Sequence, residues 1–424
     1  MSRGKVIFVW TLILVAVLNG VLWETVIAKT ASSTIPLELG PLVQEALDRN
    51  PEVTVAREQV KAMQERIPQA RTLEDPEVKI QLWNTPDTLD VTRTQRTIYG
   101  LAQRFPFPGT LSSQEEVAAR TADQATQRLA AKEREITEAV KVAYYELFWA
   151  HKAIEIHHER VKLVKQFFEI ANAKYRVGKG TQVDVLKAQV ELSRLLQHFL
   201  ILEQREQTAQ AHLNTLLNRP PLSRLGIPQE PASRLAVIAF EQLGEQALRR
   251  RPELREADLA VAQFESATKL AQLQYYPKLR VELQRWQNFH ADDGFGGNVT
   301  LNIPFAFWTK PKYDAGVREA VARVEAARSR KQTLVNLTRF QIKDLVAQVK
   351  ATERIVELYV TTVLPQAQQT RKAAMAGYRV GRTDFLDLIE ADRAVITYQL
   401  EYYRALVDRE QQLAKLERVV GVDL

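Results

Sequence analysis

Cysteine is absent from all 424 residues, which excludes disulfides, thiolate metal sites and an acylated N-terminal cysteine, so stability has to come from packing. Glycine and proline are also scarce, at 16 and 17, and their long absences leave room for long helices. No basic tract and no interleaving of basic with aromatic residues accompanies the formal charge of +7. Lysines and arginines alternate with glutamates as on solvated helix faces, and no nucleic-acid partner is expected. There is no glycine-rich phosphate loop and no nucleophile motif. His151, Glu155, His157, His158 and Glu159 lack HExxH spacing and fall on a long polar stretch, where a solvated face is the expectation. No catalytic residue, metal or cofactor is therefore expected.

One extended apolar run exists, residues 6–18, preceded by Arg3 and Lys5 and followed by "VIAKTA" with Val26 and Ala28 at the minus-three and minus-one positions. This is the pattern of a secretory signal peptide over residues 1–28. The run is shorter than the roughly 20 residues of a spanning helix. No other segment is comparably apolar, so membrane contact has to be made without one.

What is present is a duplication. "ALDRNPEV" at 46–53 answers "ALRRRPEL" at 247–254, and "DPEVKIQL" at 75–82 answers "YPKLRVEL" at 276–283. "FPF" at 105–107 answers "IPF" at 303–305, and "YRVGKGTQVDVLKAQ" at 175–189 answers "YRVGRTDFLDLIEAD" at 378–392. Four markers in one order at nearly constant offset define an internal repeat. The first repeat spans 29–217, a proline-rich segment at 218–240 links it to the second, and the second spans 241–424. Each half reads as helix, strand pair, very long helix, glycine corner, long helix. Residues 111–175 hold no glycine or proline and as one helix would reach about 98 Å. Residues 311–378 repeat this, with Pro365 marking a kink or a join. Helices of this length require coiled-coil packing.

The strands alternate. Val78, Ile80 and Leu82 oppose Glu77, Lys79 and Gln81; Leu279, Val281 and Leu283 oppose Lys278, Arg280 and Glu282; Val299, Leu301, Ile303 and Phe305 oppose Asn298, Thr300 and Asn302. A fourth strand near 97–105 alternates less cleanly. Of the 33 aromatic residues, 12 fall in 77–109 and 275–308, over twice the share expected from composition. Trp83, Tyr99, Phe105, Phe107, Trp286, Phe289, Phe305, Phe307 and Trp308 cluster near strand ends, as in the aromatic girdles of a membrane barrel. Four strands do not close a barrel and open edges in lipid are costly, so copies must combine. Two copies would supply eight strands and three would supply twelve.

In the first corner, Gly178 suits the left-handed residue past a helix end, Thr181 the next N-cap and Asp184 the N3 position; Gly381, Asp384 and Asp387 repeat the pattern. Glu390 lies three residues beyond Asp387, on the same helix face. Either Asp387 is only a cap and Glu390 a solvated residue, or the pair forms stacked acidic rings about a symmetry axis, which would favour cations.

The doubled corners, the "FPFPG" and "IPFAFW" strand ends, the alternating strand pairs and the signal peptide together resemble the TolC-type outer-membrane efflux protein family, over residues 29–424. The resemblance implies a mainly α fold with membrane β: a duplicated long-helix coiled-coil tunnel (α-barrel) plus four β-strands per chain completing a trimeric 12-stranded transmembrane β-barrel. It further implies a homotrimer in the outer membrane of a Gram-negative cell, in contact with outer-membrane lipid, with the helical tunnel in the periplasm. Its partners would be a periplasmic adapter (membrane fusion protein) and an inner-membrane pump. The adapter-contacting tips carry over to Val177, Gly178, Lys179, Val380, Gly381 and Arg382, and the periplasmic acidic gate to Asp387 and Glu390. Tyr378 and Asp184 match residues that link neighbouring coils in the closed state. The family's lock arginine, two residues past the second glycine, is Thr383 here. The expected function is a passive exit duct; the alternative is a periplasmic helical adapter or scaffold without a membrane barrel.

Overall fold

The computed structural model describes residues 36–85, 94–231, 240–288, 291–304 and 306–424. The expected signal peptide, part of the linker, most of the connection after Trp83, and Phe289 and Phe305 lie outside the described residues. The elements recur in the same order in both halves. The first half has β1 (Pro36–Leu37), α1 (Leu39–Arg49), α2 (Pro51–Gln64), α3 (Arg66–Arg71), β2 (Glu77–Trp83), β3 (Arg96–Phe105), α4 (Thr110–Arg176) and α5 (Gln182–Leu216). After β4 (Ile227–Pro228), the second has α6 (Phe240–Arg250), α7 (Pro252–Leu273), β5 (Leu279–Asn288), β6 (Gly294–Leu301), α8 (Lys310–Leu358), α9 (Leu364–Val380) and α10 (Phe385–Val420).

The "NPEV" and "RPEL" markers are helix starts. Asn50 caps α2, its side chain accepting from the Glu52 amide at 2.8 Å, and Pro51 follows in the first turn, where its missing N–H costs nothing. Arg251 and Pro252 hold the same positions before α7. Helix α4 runs 67 residues without a break. Pro365 sits in the first turn of α9, at the expected join with α8. A π turn at Tyr359–Val363 joins α8 to α9 with helical backbone on both sides, and the Leu364 amide reaches back to the Tyr359 carbonyl. The extra residue in that turn accommodates a proline that has no amide to donate.

The chain forms two compact units, each drawing on both halves. One contains residues 47–138, 236–350 and 412–424 and carries the sheet, of order β2-β3-β5-β6, with every pairing antiparallel. β3 pairs with β5 through ten residues, Arg96 opposite Asn288 to Phe105 opposite Leu279, and so joins the repeats. β2 and β6 are the edges. Val78, Ile80, Leu101, Leu283, Phe295 and Val299 leave one face apolar and exposed, at 53–81%. The opposite face is polar: Glu77 binds Arg104 at 2.8 Å and Arg280 at 2.9 Å, and Glu282 lies 3.7 Å from Lys79. Gly100 makes room for that last pair, since a Cβ there would sit 3.0 Å from the Glu282 carboxylate. The β5–β6 connection is short, because β5 extends to Asn288 and β6 begins at Gly294. The Trp286 indole fills the space over Gly294 and Gly296 that side chains would otherwise occupy. The third alternating strand ends at Leu301, short of the expected residue 305.

The other unit contains residues 1–46, 139–235 and 351–411. Its linker is pinned at several points. Ile227–Pro228 pairs in parallel with Pro36–Leu37, the Tyr144 hydroxyl donates to the Leu37 carbonyl at 2.9 Å, and Arg219 makes a two-pronged contact with Glu45. Among the described residues no helix is long and apolar enough to cross a membrane.

Candidate functional site

Both corners close as the same hydrogen-bonded cap. The Lys179 amide bonds the Lys174 carbonyl at 2.9 Å and the Gly178 amide bonds Tyr175 at 3.0 Å; the Arg382 and Gly381 amides bond Gly377 at 2.9 Å and Tyr378 at 3.2 Å. This double closure needs a left-handed residue, supplied by Gly178 at φ 72° and Gly381 at φ 79°. Thr181 then caps α5, its hydroxyl accepting from the Asp184 amide at 3.2 Å. Gly377 is required for another reason: a Cβ there would collide with the Thr383 hydroxyl, so the residue at the family's lock position packs against its own helix end.

The corners meet over one buried core of Val161, Val164, Phe167, Ala188, Leu195, Tyr378, Phe385, Leu388 and Ile389, drawn from α4, α5, α9 and α10. Outside that core Val177, Gly178, Lys179, Val380, Gly381 and Arg382 are all exposed. Val183, Leu186 and Val190 of α5 and Leu386 of α10 are exposed as well, and they line a groove of about 300 Å³ beside the corners. Asp387 in the first turn of α10 and Glu390 one turn later share its exposed face, opposite Leu388 and Ile389.

Tyr378 and Asp184 come together within one chain. The ring is 4% exposed, its hydroxyl has no hydrogen-bond partner among the described residues, and burial with the nearby Asp184 carboxylate pushes its pKa up to about 12. Lys174 donates to the Tyr378 carbonyl and holds its ammonium 4.2 Å from the ring centre.

Glu155 and Glu159 are exposed as expected, whereas the histidines of the same segment turn inward. His157 is buried, with Nε2 2.6 Å from the Leu195 carbonyl oxygen, His158 lies against Phe199, and His151 faces Glu206 at 3.3 Å. The face turned toward α5 is simply lined by imidazoles. Among the described residues no group of three or more His, Asp or Glu side chains is placed to hold a metal ion.

A charged cluster behind the corners was not anticipated. Arg160 of α4 reaches Glu191 of α5 at 2.6 Å and Asp392 of α10 at 3.5 Å; Arg371 of α9 reaches the other Asp392 oxygen at 3.6 Å, and Arg393 binds Glu191. The sequence signal is one of phase. Asp392 stands between buried Leu388 and Val395, and Glu191 between buried Ala188 and Leu195, so each charge occupies an apolar position of its helix.

Two long helical hairpins on a shared core, and a small sheet with one apolar and one polar face, define the class: a subunit of an outer-membrane channel with a helical tunnel. The chain belongs to the outer membrane efflux protein family, which matches over residues 42–219 and 243–422. Among curated relatives, the cobalt-zinc-cadmium resistance protein CzcC of Cupriavidus metallidurans is 22% identical over 395 residues, covering 91% of this chain and 90% of its own. The fold matches that of the Vibrio cholerae outer membrane protein VceC (TM-score 0.76, 17% identity, 91% of this chain and 96% of that one). It also matches the open-state Neisseria gonorrhoeae outer membrane channel MtrE (TM-score 0.73, 16% identity, 91% and 89%). The protein is therefore an outer-membrane efflux channel component whose helices face the periplasm.

Proposed function

We propose that three copies of this chain form a passive duct, each contributing four strands to a barrel of twelve. The observation that carries this is the sheet, whose apolar outer face suits lipid and whose two edge strands would leave backbone groups unsatisfied in a membrane unless other copies paired with them. A periplasmic scaffold has no use for such a sheet. The paired glycine corners form the periplasmic tip, where the exposed Val177, Val380 and the groove beside them receive the helical hairpins of an adapter, which couples the duct to an inner-membrane pump. Asp387 and Glu390 form the acidic constriction, the buried ring of Tyr378, with Asp184 near it, helps to hold the coils closed, and the duct performs no chemistry. Cargo is selected in the pump; the full-length likeness to CzcC makes divalent Co, Zn and Cd the first cargo to assay.

Light scattering and negative-stain imaging of the detergent-solubilised protein should give a trimer with a central channel, and a detergent-free monomer would overturn the duct. In planar bilayers, Asp387→Asn with Glu390→Gln should lower cation selectivity and block by multivalent cations; unchanged selectivity would remove the acidic gate.

A further inference from the structure

We infer that the cavity where the sheet meets the starts of α4 and α8 binds a small soluble organic anion carrying two or more carboxylates or phosphates. The cavity measures about 1120 Å³, at the upper end of the range for organic ligands. Its lining lies wholly within the unit that carries the sheet. Arg104, Arg280 and Thr300 in its wall belong to the polar face of the sheet, the face that a duct would turn to its lumen. The inference rests on the duct reading only for the route by which the anion arrives. Four cations, Arg104, Lys278, Arg280 and Lys312, line the cavity against two carboxylates, Glu74 and Asp75. The arginines are engaged: Arg104 lies 2.8 Å from Glu77 and 3.6 Å from Glu74, and Arg280 lies 2.9 Å from Glu77 and 3.5 Å from Glu282. The lysines are unpaired. Among the described residues neither Lys278 nor Lys312 has a carboxylate at ion-pair distance, and Lys312 lies 5.6 Å from the centre of the Tyr313 ring instead. The Nε of Arg280 is a further unused donor, buried without a hydrogen-bond partner among the described residues.

Two helix starts add to this positive potential. Thr110 and Leu111 of α4 and Lys312 and Tyr313 of α8 are first-turn residues in the cavity wall. A helix start presents amides without partners inside the helix and carries about half a positive charge, which Asp or Glu in the first turn normally offsets. Neither first turn contains an acidic residue, and α8 opens with Lys310, Pro311 and Lys312 instead. Asp314 offsets Lys310 at 3.1 Å and leaves Lys312 unopposed. Two uncompensated helix starts, two unpaired lysines and an unused guanidinium donor thus converge on one cavity. Each departs from what local stability favours, all with the same sign, and such concerted departures mark functional positions. A bound anion would supply the missing negative charge and accept from the lysines and the helix amides. Of the lining carboxylates, Glu74 is held by Arg104, and Asp75 alone competes with a ligand. Leu73, Leu111 and Tyr313 share the wall, which suits a carbon skeleton better than bare phosphate.

Citrate is the probe. Isothermal titration of the detergent-solubilised protein should show saturable citrate binding that weakens as sodium chloride is raised. Lys278→Gln combined with Lys312→Gln should weaken it roughly tenfold or more, Lys278→Arg combined with Lys312→Arg should retain it, and Asp75→Asn should tighten it. Thr110→Asp gives the start of α4 a carboxylate of its own. It should raise the midpoint of thermal unfolding while weakening citrate binding, a combination that damage to the fold does not produce. Citrate should also reduce the current through the wild-type protein in planar bilayers and leave that through the double glutamine variant unchanged. No binding, or equal binding by the wild type and the double glutamine variant, overturns the site while leaving the duct untouched. Binding that follows these substitutions in a protein that passes no current supports the site and overturns the duct.

Discussion

Tyr378→Phe removes a single oxygen atom, and the corner should be steadier without it. The ring packs edge-on against Phe385 at 5.4 Å and sits under the Lys174 ammonium, and both contacts survive in phenylalanine. Among the described residues the buried hydroxyl has no hydrogen-bond partner, and with its pKa pushed up to about 12 it stays neutral at physiological pH. An unpartnered buried hydroxyl costs about 1–3 kcal/mol. Recovering about 1–2 kcal/mol of that would slow local opening by roughly 5- to 30-fold. Hydrogen exchange read by mass spectrometry on peptides covering residues 374–389 measures this directly. Tyr378→Ala sets the scale in the other direction: it deletes the ring that Lys174 and Phe385 contact and should cost about 3–5 kcal/mol, as large-to-small core changes do. Exchange that is tenfold faster in Tyr378→Phe would refute the reasoning, because it would mean that the hydroxyl finds its partner on a neighbouring subunit and that Tyr378 holds the coils together through that bond.

Burial depresses the imidazole pKa values of His151, His157 and His158. The unfolded chain therefore takes up protons as the pH falls through about 6.5 while the folded helices resist. Stability is full above that pH and is lost toward the folded pKa values. Urea midpoints should fall between pH 7.5 and pH 5.5, and His157→Gln should flatten the slope; Asp392, whose burial raises its pKa, acts in the opposite sense. A profile unchanged by His157→Gln would show that this imidazole is hydrated. In the sheet, a Cβ at Gly296 would sit 2.7 Å from the Trp286 indole, so Gly296→Val should cost about 1–3 kcal/mol by overpacking. The readout is a lower midpoint of thermal unfolding for the detergent-solubilised protein, partly recovered by adding Trp286→Leu. An unaltered temperature would mean that the indole moves aside freely.

Much of the architecture was legible in the residues because it rests on local rules. The run without glycine or proline became helix α4, and the alternation in "EVKIQLW" became β2 with the same bounds. The glycine corners took the left-handed conformation that their spacing required. Strand ends were less legible. Whether β6 starts at Gly294 or later depends on Trp286 covering glycines from the neighbouring strand, which no pattern within β6 reveals. Pro365 was visible as an interruption, yet a π turn and a broken helix relieve it equally well on local grounds.

The sequence by itself determined the repeat, the element types, the corner chemistry and the family resemblance, because each depends on residues within a few positions of one another or on direct comparison of the two halves. Only the tertiary structure decided that Arg160, Glu191, Arg371, Asp392 and Arg393 share one site, that His157 is buried, and that Tyr378 keeps an unbonded hydroxyl. The physical reason is that a charged or polar side chain carries no mark of its surroundings. Glu191 and Arg393 are 202 positions apart, and whether such a group meets water, a counter-ion or nothing is settled by which helix packs across from it.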